Sequence, residues 1–173
     1  EVAMTLPASS SPLALVNTDL TDATVDLTAI GPDGPVNLVA ARGLVVEARS
    51  ARTVQIQAET EPGGPISLHL ATSSGRVSAS LRQRSWSRDT VVGTEWVGAS
   101  AEPELRAVVP VIPDSSANAC LAVTNPGERT TTVTLDVLRT SGRSGLSGLE
   151  TLDVPGGTTR TLAIGSSLGA DVA

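Results

Sequence analysis

The sequence predicts an all-β protein of two tandem immunoglobulin-like β-sandwich units related by an internal repeat, the second lacking its last two strands. Three observations carry that expectation. Residues 13–56 align on residues 121–164 without a gap, at an offset of 108, with thirteen identities over forty-four positions. Most of these identities are alternating apolar residues or turn residues, and a match this long marks one packing unit used twice. Segments such as Ala23-Thr24-Val25-Asp26-Leu27-Thr28-Ala29 alternate strictly; a helix would smear those apolar residues around its cylinder, so they read as strand. Clusters of Gly, Pro, Ser and Asp recur at the spacing of roughly 8–12 residues that short-stranded sandwiches use.

Taken in order, Val2 to Leu6 is a short extended segment ended by Pro7, and Leu13 to Val16 is the next strand. Asp19 to Asp22 turns the chain through side-chain bonds to nearby backbone. After Ala23–Ala29, the run Gly31-Pro32-Asp33-Gly34-Pro35 is expected to break the chain. Leu44–Val46 and Thr53–Gln57 follow as strands, separated by the polar Arg49-Ser50-Ala51-Arg52. Ile66–Leu70 and Arg76–Leu81 form a hairpin through Ser73-Ser74-Gly75, where glycine accepts positive φ. Trp86 to Ala101 reads as a link or an edge hairpin. From Leu105 the pattern restarts: Ala107–Pro113 parallels Val2–Pro7, and Cys120–Thr124, Thr131–Leu138, Leu152–Val154 and Thr161–Ile164 repeat the strands of the first unit. The expected division is residues 1–100 for the first unit with its linker and 101–173 for the second. No segment has a credible helical pattern. The repeat requires Val25, Leu27, Val133 and Leu135 all to point into cores, since a one-residue slip would invert both faces.

Composition narrows the function classes. Net charge is −6, all twelve basic residues are Arg, and Trp86 and Trp96 are the only aromatics. Scattered arginines and so few stacking rings argue against a nucleic-acid partner. Arg without Lys, with abundant Ala, Gly, Val and Thr, reflects the coding composition of the source. A single Cys120 excludes an intrachain disulfide. The apolar stretches are far shorter than a membrane span, so membrane contact is expected only through segments outside these residues. Residue 1 is Glu, which reads as a mature or trimmed chain.

Several segments in order resemble a family of uncharacterised secreted proteins of actinobacteria: Val108-Val109-Pro110-Val111-Ile112-Pro113, Leu121-Ala122-Val123-Thr124-Asn125-Pro126-Gly127, Thr132-Val133-Thr134-Leu135 and Val154-Pro155-Gly156-Gly157-Thr158. Upstream, Gly75–Ser80 and Thr94-Glu95-Trp96 fit the same habit of a Gly-containing hairpin followed by a Trp segment. The resemblance covers roughly residues 65–165. It implies an exported, envelope-associated β-repeat protein of the kind often encoded near glycosyltransferases, and it implies no catalytic residue. The first unit departs from the pattern, with Asn17-Thr18-Asp19 where the second has Asn125-Pro126-Gly127.

Candidate chemistry is sparse. His69 shares a strand face with Ser67 and Ala71, away from Ile66, Leu68 and Leu70; catalysis would need a nucleophile and an orienting acid beside it. Cys120 opens a strand, and activation would need a neighbouring cation. Asp19, Asp22 and Asp26 form a loose acidic cluster, but their spacing crosses a turn into a strand and matches no calcium loop. Gly142-Arg143-Ser144-Gly145-Leu146-Ser147-Gly148 lacks the spacing of a nucleophile elbow and reads as a hairpin loop. Trp96 is the one candidate ligand contact, able to stack on a sugar ring; the competing reading has it fill a gap between the two units. The expectation is therefore a non-catalytic, exported cell-envelope binding or scaffolding protein, with no cofactor and no metal. Its partner would be an envelope protein or glycan. The alternative is a carbohydrate-binding accessory module of an envelope glycan-processing system. The missing end of the second unit leaves an open edge that invites strand pairing; the favoured reading is a trimmed chain in which Asp171-Val172-Ala173 begins the sixth strand, the alternatives being strands from another chain or Pro65–Leu81 shared between the units.

Overall fold

The computed structural model describes residues 2–5, 11–39, 41–57, 65–87, 90–100, 102, 104–109, 120–146 and 148–165. Every element they form is a strand. In the first half these are β1 (Val2–Thr5), β2 (Ser11–Asn17), β3 (Ala23–Gly31), β4 (Gly34–Val36), β5 (Leu44–Val46), β6 (Ser50–Ile56), β7 (Pro65–Ser74), β8 (Ser78–Ser87) and β9 (Thr90–Gly98). They make two antiparallel sheets. One has the order β1-β7-β3-β4, with β5 also on β3; the other has the order β6-β2-β8-β9.

Alternation explains how the two sheets meet. Leu13 and Leu15 of β2 and Leu81 of β8 project from one sheet. Val25, Leu27, Ala29, Leu44, Val46, Ile66 and Leu68 project from the other, and all are buried in one core with Ile56. Burying a Leu or Ile side chain is worth about 1.5–3 kcal/mol. With no Phe or Tyr in the chain, the core is built of aliphatic residues.

The second half contains β10 (Cys120–Asn125), β11 (Thr131–Thr134), β12 (Asp136–Arg139), β13 (Gly142–Gly145), β14 (Thr151–Val154) and β15 (Thr158–Ala163), paired as three two-stranded ladders. Each ladder keeps the register of its first-half counterpart. Leu13↔Val54 corresponds to Leu121↔Leu162, Ala29↔Val36 to Val137↔Ser144, and Val25↔Leu44 to Val133↔Leu152. Backbone detail follows the same offset: Gly34 and Gly142 have φ of 131° and 129°, and Arg49 and Gly157 both sit in the left-handed region.

Asn17 and Asn125 also do the same work. The Nδ2 of Asn17 donates to the carbonyls of Thr21 (2.9 Å) and Val46 (3.0 Å), while its Oδ1 accepts from the Asp19 N–H. Asn125 donates to the carbonyls of Arg129 and Val154 and accepts from the Gly127 N–H. Each asparagine closes a turn and ties it to a neighbouring strand end.

The structure amends several expectations. The break expected over Gly31–Pro35 narrows to a two-residue turn, Pro32-Asp33; β3 runs through Gly31 and returns as β4. Ser50, Ala51 and Arg52 belong to β6, an edge strand whose outward side chains tolerate polar residues. Gly142–Gly145 is a strand rather than a loop. Thr90–Gly98 is an edge strand paired with β8. Ala107–Val109 is not strand, and residues 110–113 and 171–173 lie outside the described residues. Val25 and Leu27 are buried, whereas Val133 and Leu135 are only half-buried. The second core is thin, with Val137, Leu146 and Ile164 buried and Leu121, Leu135, Leu149 and Leu162 packed around them. Pro65–Leu81 is not shared by strand pairing: β7 pairs with β1 and β3, and β8 with β2 and β9.

The two halves meet face to face. β15 lies against β3, β4 and β7, and β10 against β1 and β7. The contact uses the outer face of the β1-β7-β3-β4 sheet, opposite its core face. There Thr159 Oγ1 donates to the Ile30 carbonyl (2.7 Å) and is 3.0 Å from Thr124 Oγ1, which is hydrogen-bonded to Ser67 Oγ. A carbonyl only accepts and a hydroxyl has one hydrogen. Thr159 therefore spends its hydrogen on Ile30, Thr124 donates to Thr159, and Ser67 donates to Thr124. Ser67, Thr159 and Ile30 are buried. We expect Thr159→Val to lower stability by about 1–3 kcal/mol, because it strands the Thr124 donor in a dry layer. Ser67→Ala, at the free end of the relay, should cost less. Urea unfolding of the two variants checks the order; equal or negligible losses would mean that the relay does not hold the halves together.

Candidate functional site

The outer face of the β6-β2-β8-β9 sheet is the most distinctive open surface among the described residues. Alternation sends Leu81 and Val97 toward the core and the facing pair Arg82↔Trp96 outward. One step along, Thr53, Ala14, Ser80 and Gly98 stand in a straight row across all four strands, each paired with the next. Small side chains across four strands leave a flat shelf. Trp96 rises at its margin with 59% of its surface exposed, and the Nε of Arg82 is buried with no hydrogen-bond partner. An indole face with a guanidinium beside it can stack on a sugar ring and donate to its oxygens. Trp96 therefore does not fill a gap between the two halves; it stands on the sheet remote from their junction. Toward the other end of this face, Val16, Asn17, Thr18, Arg49, Ser50 and Ala51 line a depression of about 500 Å³.

The remaining candidates are dispersed. His69 is half-buried on the outer face of β7, opposite Thr28 in the ladder. Cys120 is exposed at the start of β10, opposite Ala163. The three carboxylates of the acidic cluster serve different partners. Asp22 accepts from the Ala48 N–H (2.9 Å), Asp26 from the Gly43 N–H (2.7 Å), and Asp19 from Arg76. They pin loops to strands. Arg143 of β13 pairs with Asp136 of β12.

The Arg76 hydrogen bonds hold the Asp19 carboxyl below its ordinary 3.8; partial desolvation opposes them and coulombic attraction adds to them. A depressed carboxyl stabilises the fold above its unfolded value and loses that contribution as pH falls through its folded value. The pair is exposed, so its contribution is screened and small. We expect a carboxyl-carbon NMR titration to place the Asp19 midpoint below 3.8 and Arg76→Ala to return it upward. A native midpoint at or above 3.8 would contradict the pairing.

A family model described as a family of unknown function, DUF5719, matches residues 2–169. The chain belongs to that family. The DUF5719 match takes in both the two-sheet half and the three-ladder half, a wider span than the motifs over residues 65–165. No curated protein and no solved structure matches this DUF5719 chain. Arg82 could not be singled out from sequence, because only the β8–β9 register sets it opposite Trp96.

Proposed function

We propose that the chain is a non-catalytic, exported scaffold of the actinobacterial cell envelope, built from two immunoglobulin-like sandwich units in tandem and working through its sheet faces. The observation that carries this reading is the junction between the halves, where one sheet face recognises another through the Ser67–Thr124–Thr159–Ile30 relay. The matching registers of three ladders at one offset support the tandem reading. Likeness to secreted, envelope-associated repeat proteins supports export. Among the described residues β10 pairs only with β15, and β11 and β12 only with β14 and β13. Strand pairing at those edges, where β8 and β7 sit in the first half, is part of the proposal. So is a protein or glycan partner on the flat shelf. Ser80→Arg plants a charge in the middle of the shelf. The native chain should retain an envelope component that Ser80→Arg loses; equal recovery by both, or none by either, would reject this reading. Fractionation that finds the full gene product only in the cytosol would reject export.

The exposure of Trp96 beside Arg82 favours a second reading, a carbohydrate-binding accessory module of an envelope glycan-processing system. A glycan array probed with the native chain and with Trp96→Ala tests it. Binding that Trp96→Ala abolishes supports the module; binding that survives, or none, removes it.

A further inference from the structure

The junction between the halves has an open counterpart at each end of the molecule, and we infer that a second copy of the chain stacks there, head to tail. The inference rests on the tandem reading above. Inside one chain, the outer face of β10–β15 (Thr124, Thr159) seats on the outer face of the β1-β7-β3-β4 sheet at Ile30. Subtract 108 from the seating residues and they become Val16 and Ala51, on the exposed outer face of β2 and β6. Add 108 to the receiving residue and it becomes Leu138, on β12. Ile30 is 4% exposed because the second half covers it, whereas Leu138 is 58% exposed and Val16 39%.

The open pair is also chemically matched. The buried junction joins a hydroxyl to a carbonyl at Thr159 and Ile30; at the two free ends the equivalent residues are Ala51 and Leu138. Val16 and Ala51 line the 500 Å³ depression, and Leu138 is an aliphatic knob of suitable chemistry to enter it. The ion pair Arg143–Asp136 lies on the same β12–β13 ladder as Leu138, and Arg49 lines the depression. Such an interface uses different patches on the two molecules, so it does not close on itself and adds copies in a row. The receiving sheet of the first half also includes β1 and β7, which have no counterpart among the described residues of the second half. The contact between copies is therefore smaller than the junction within a chain, and association is weak and concentration-dependent.

The test uses the whole chain in a Cys120→Ser background, by sedimentation velocity over rising concentration. The native surface should give a weight-average mass that climbs past twice the monomer. Val16→Arg and Leu138→Arg alone should each remain monomeric. Both positions are exposed, so the thermal melt should be unchanged; Leu138→Gln replaces Leu138→Arg if the melt moves. Mixing the two variants is decisive. Each keeps one working end, so the mixture should form dimers and stop there. A native chain that stays monomeric throughout, single variants that associate like native, or a mixture that stays monomeric would each overturn the proposal. Thr159→Val separates this from the reading beneath it. If that variant loses stability while native mass never rises, the junction within the chain stands and only stacking fails; if it loses none, the tandem reading fails first.

Discussion

Leu68→Ala is expected to lower the unfolding free energy by about 3–5 kcal/mol, the upper part of the range for truncating a buried leucine. Leu68 is fully buried at the centre of β7, opposite Val2 of β1 and Ala29 of β3. What sets the cost is whether the surroundings can close over the void. β7 is held by ladders on both edges, and its outer face is occupied by β10 and β15 at Ser67. The strand cannot sink toward the core without breaking the junction behind it, so the cavity stays open. Small domains have only about 5–15 kcal/mol in total, and this single change removes a large share. Urea unfolding with an unchanged slope would attribute the loss to the native state. A loss under about 1.5 kcal/mol would mean that the site relaxes and that the junction does not brace β7.

Asn17→Ala should cost about 2–4 kcal/mol, since it deletes three hydrogen bonds and leaves the buried Val46 carbonyl without its donor. Asn17 is almost wholly buried. The equivalent Asn125→Ala removes the corresponding three bonds, and a long one to Thr131 Oγ1, from a half-buried residue where water can replace them, and should cost about half as much. Asn17→Asp is the sharper probe. It keeps the acceptor for the Asp19 N–H but turns a carboxylate toward the carbonyls of Thr21 and Val46, and a buried charge facing acceptors is worse than a void. The expected order of stability is native, Asn17→Ala, Asn17→Asp. Aspartate matching the native chain would show that Nδ2 does not hold the turn.

How much of this was legible follows from what each signal reports. Strict alternation placed β3 and β7 on the right faces, because a half-buried strand must repeat every two residues. β4 is not legible in the sequence because three residues containing Gly34 and Pro35 look like punctuation, and only the pairing of Gly31 with Gly34 makes them a strand. The offset of 108 carried over into register but not fully into burial: Val133 sits in a two-stranded ladder, Leu135 lies between β11 and β12, and both keep partial exposure. Trp96 could be named in advance, yet its placement on an open shelf depends on the β8–β9 register. The junction was the least legible feature. Ser67 alternates with Ile66 and Leu68 and reads as solvent-facing, Thr159 stands in the polar run Thr158-Thr159-Arg160-Thr161, and nothing local tells that another sheet lies over them.

Both tryptophans lie in the β8–β9 hairpin, and the chain has no tyrosine or phenylalanine. The half that begins at β10 is therefore spectroscopically dark: indole emission reports the first half alone, while far-ultraviolet dichroism sums over every strand. Two optical signals thus act as separate witnesses to the two halves without any label. Curves that coincide in the native chain and part company in Thr159→Val would measure, in a single cuvette, how far melting of one half is made to wait for the other.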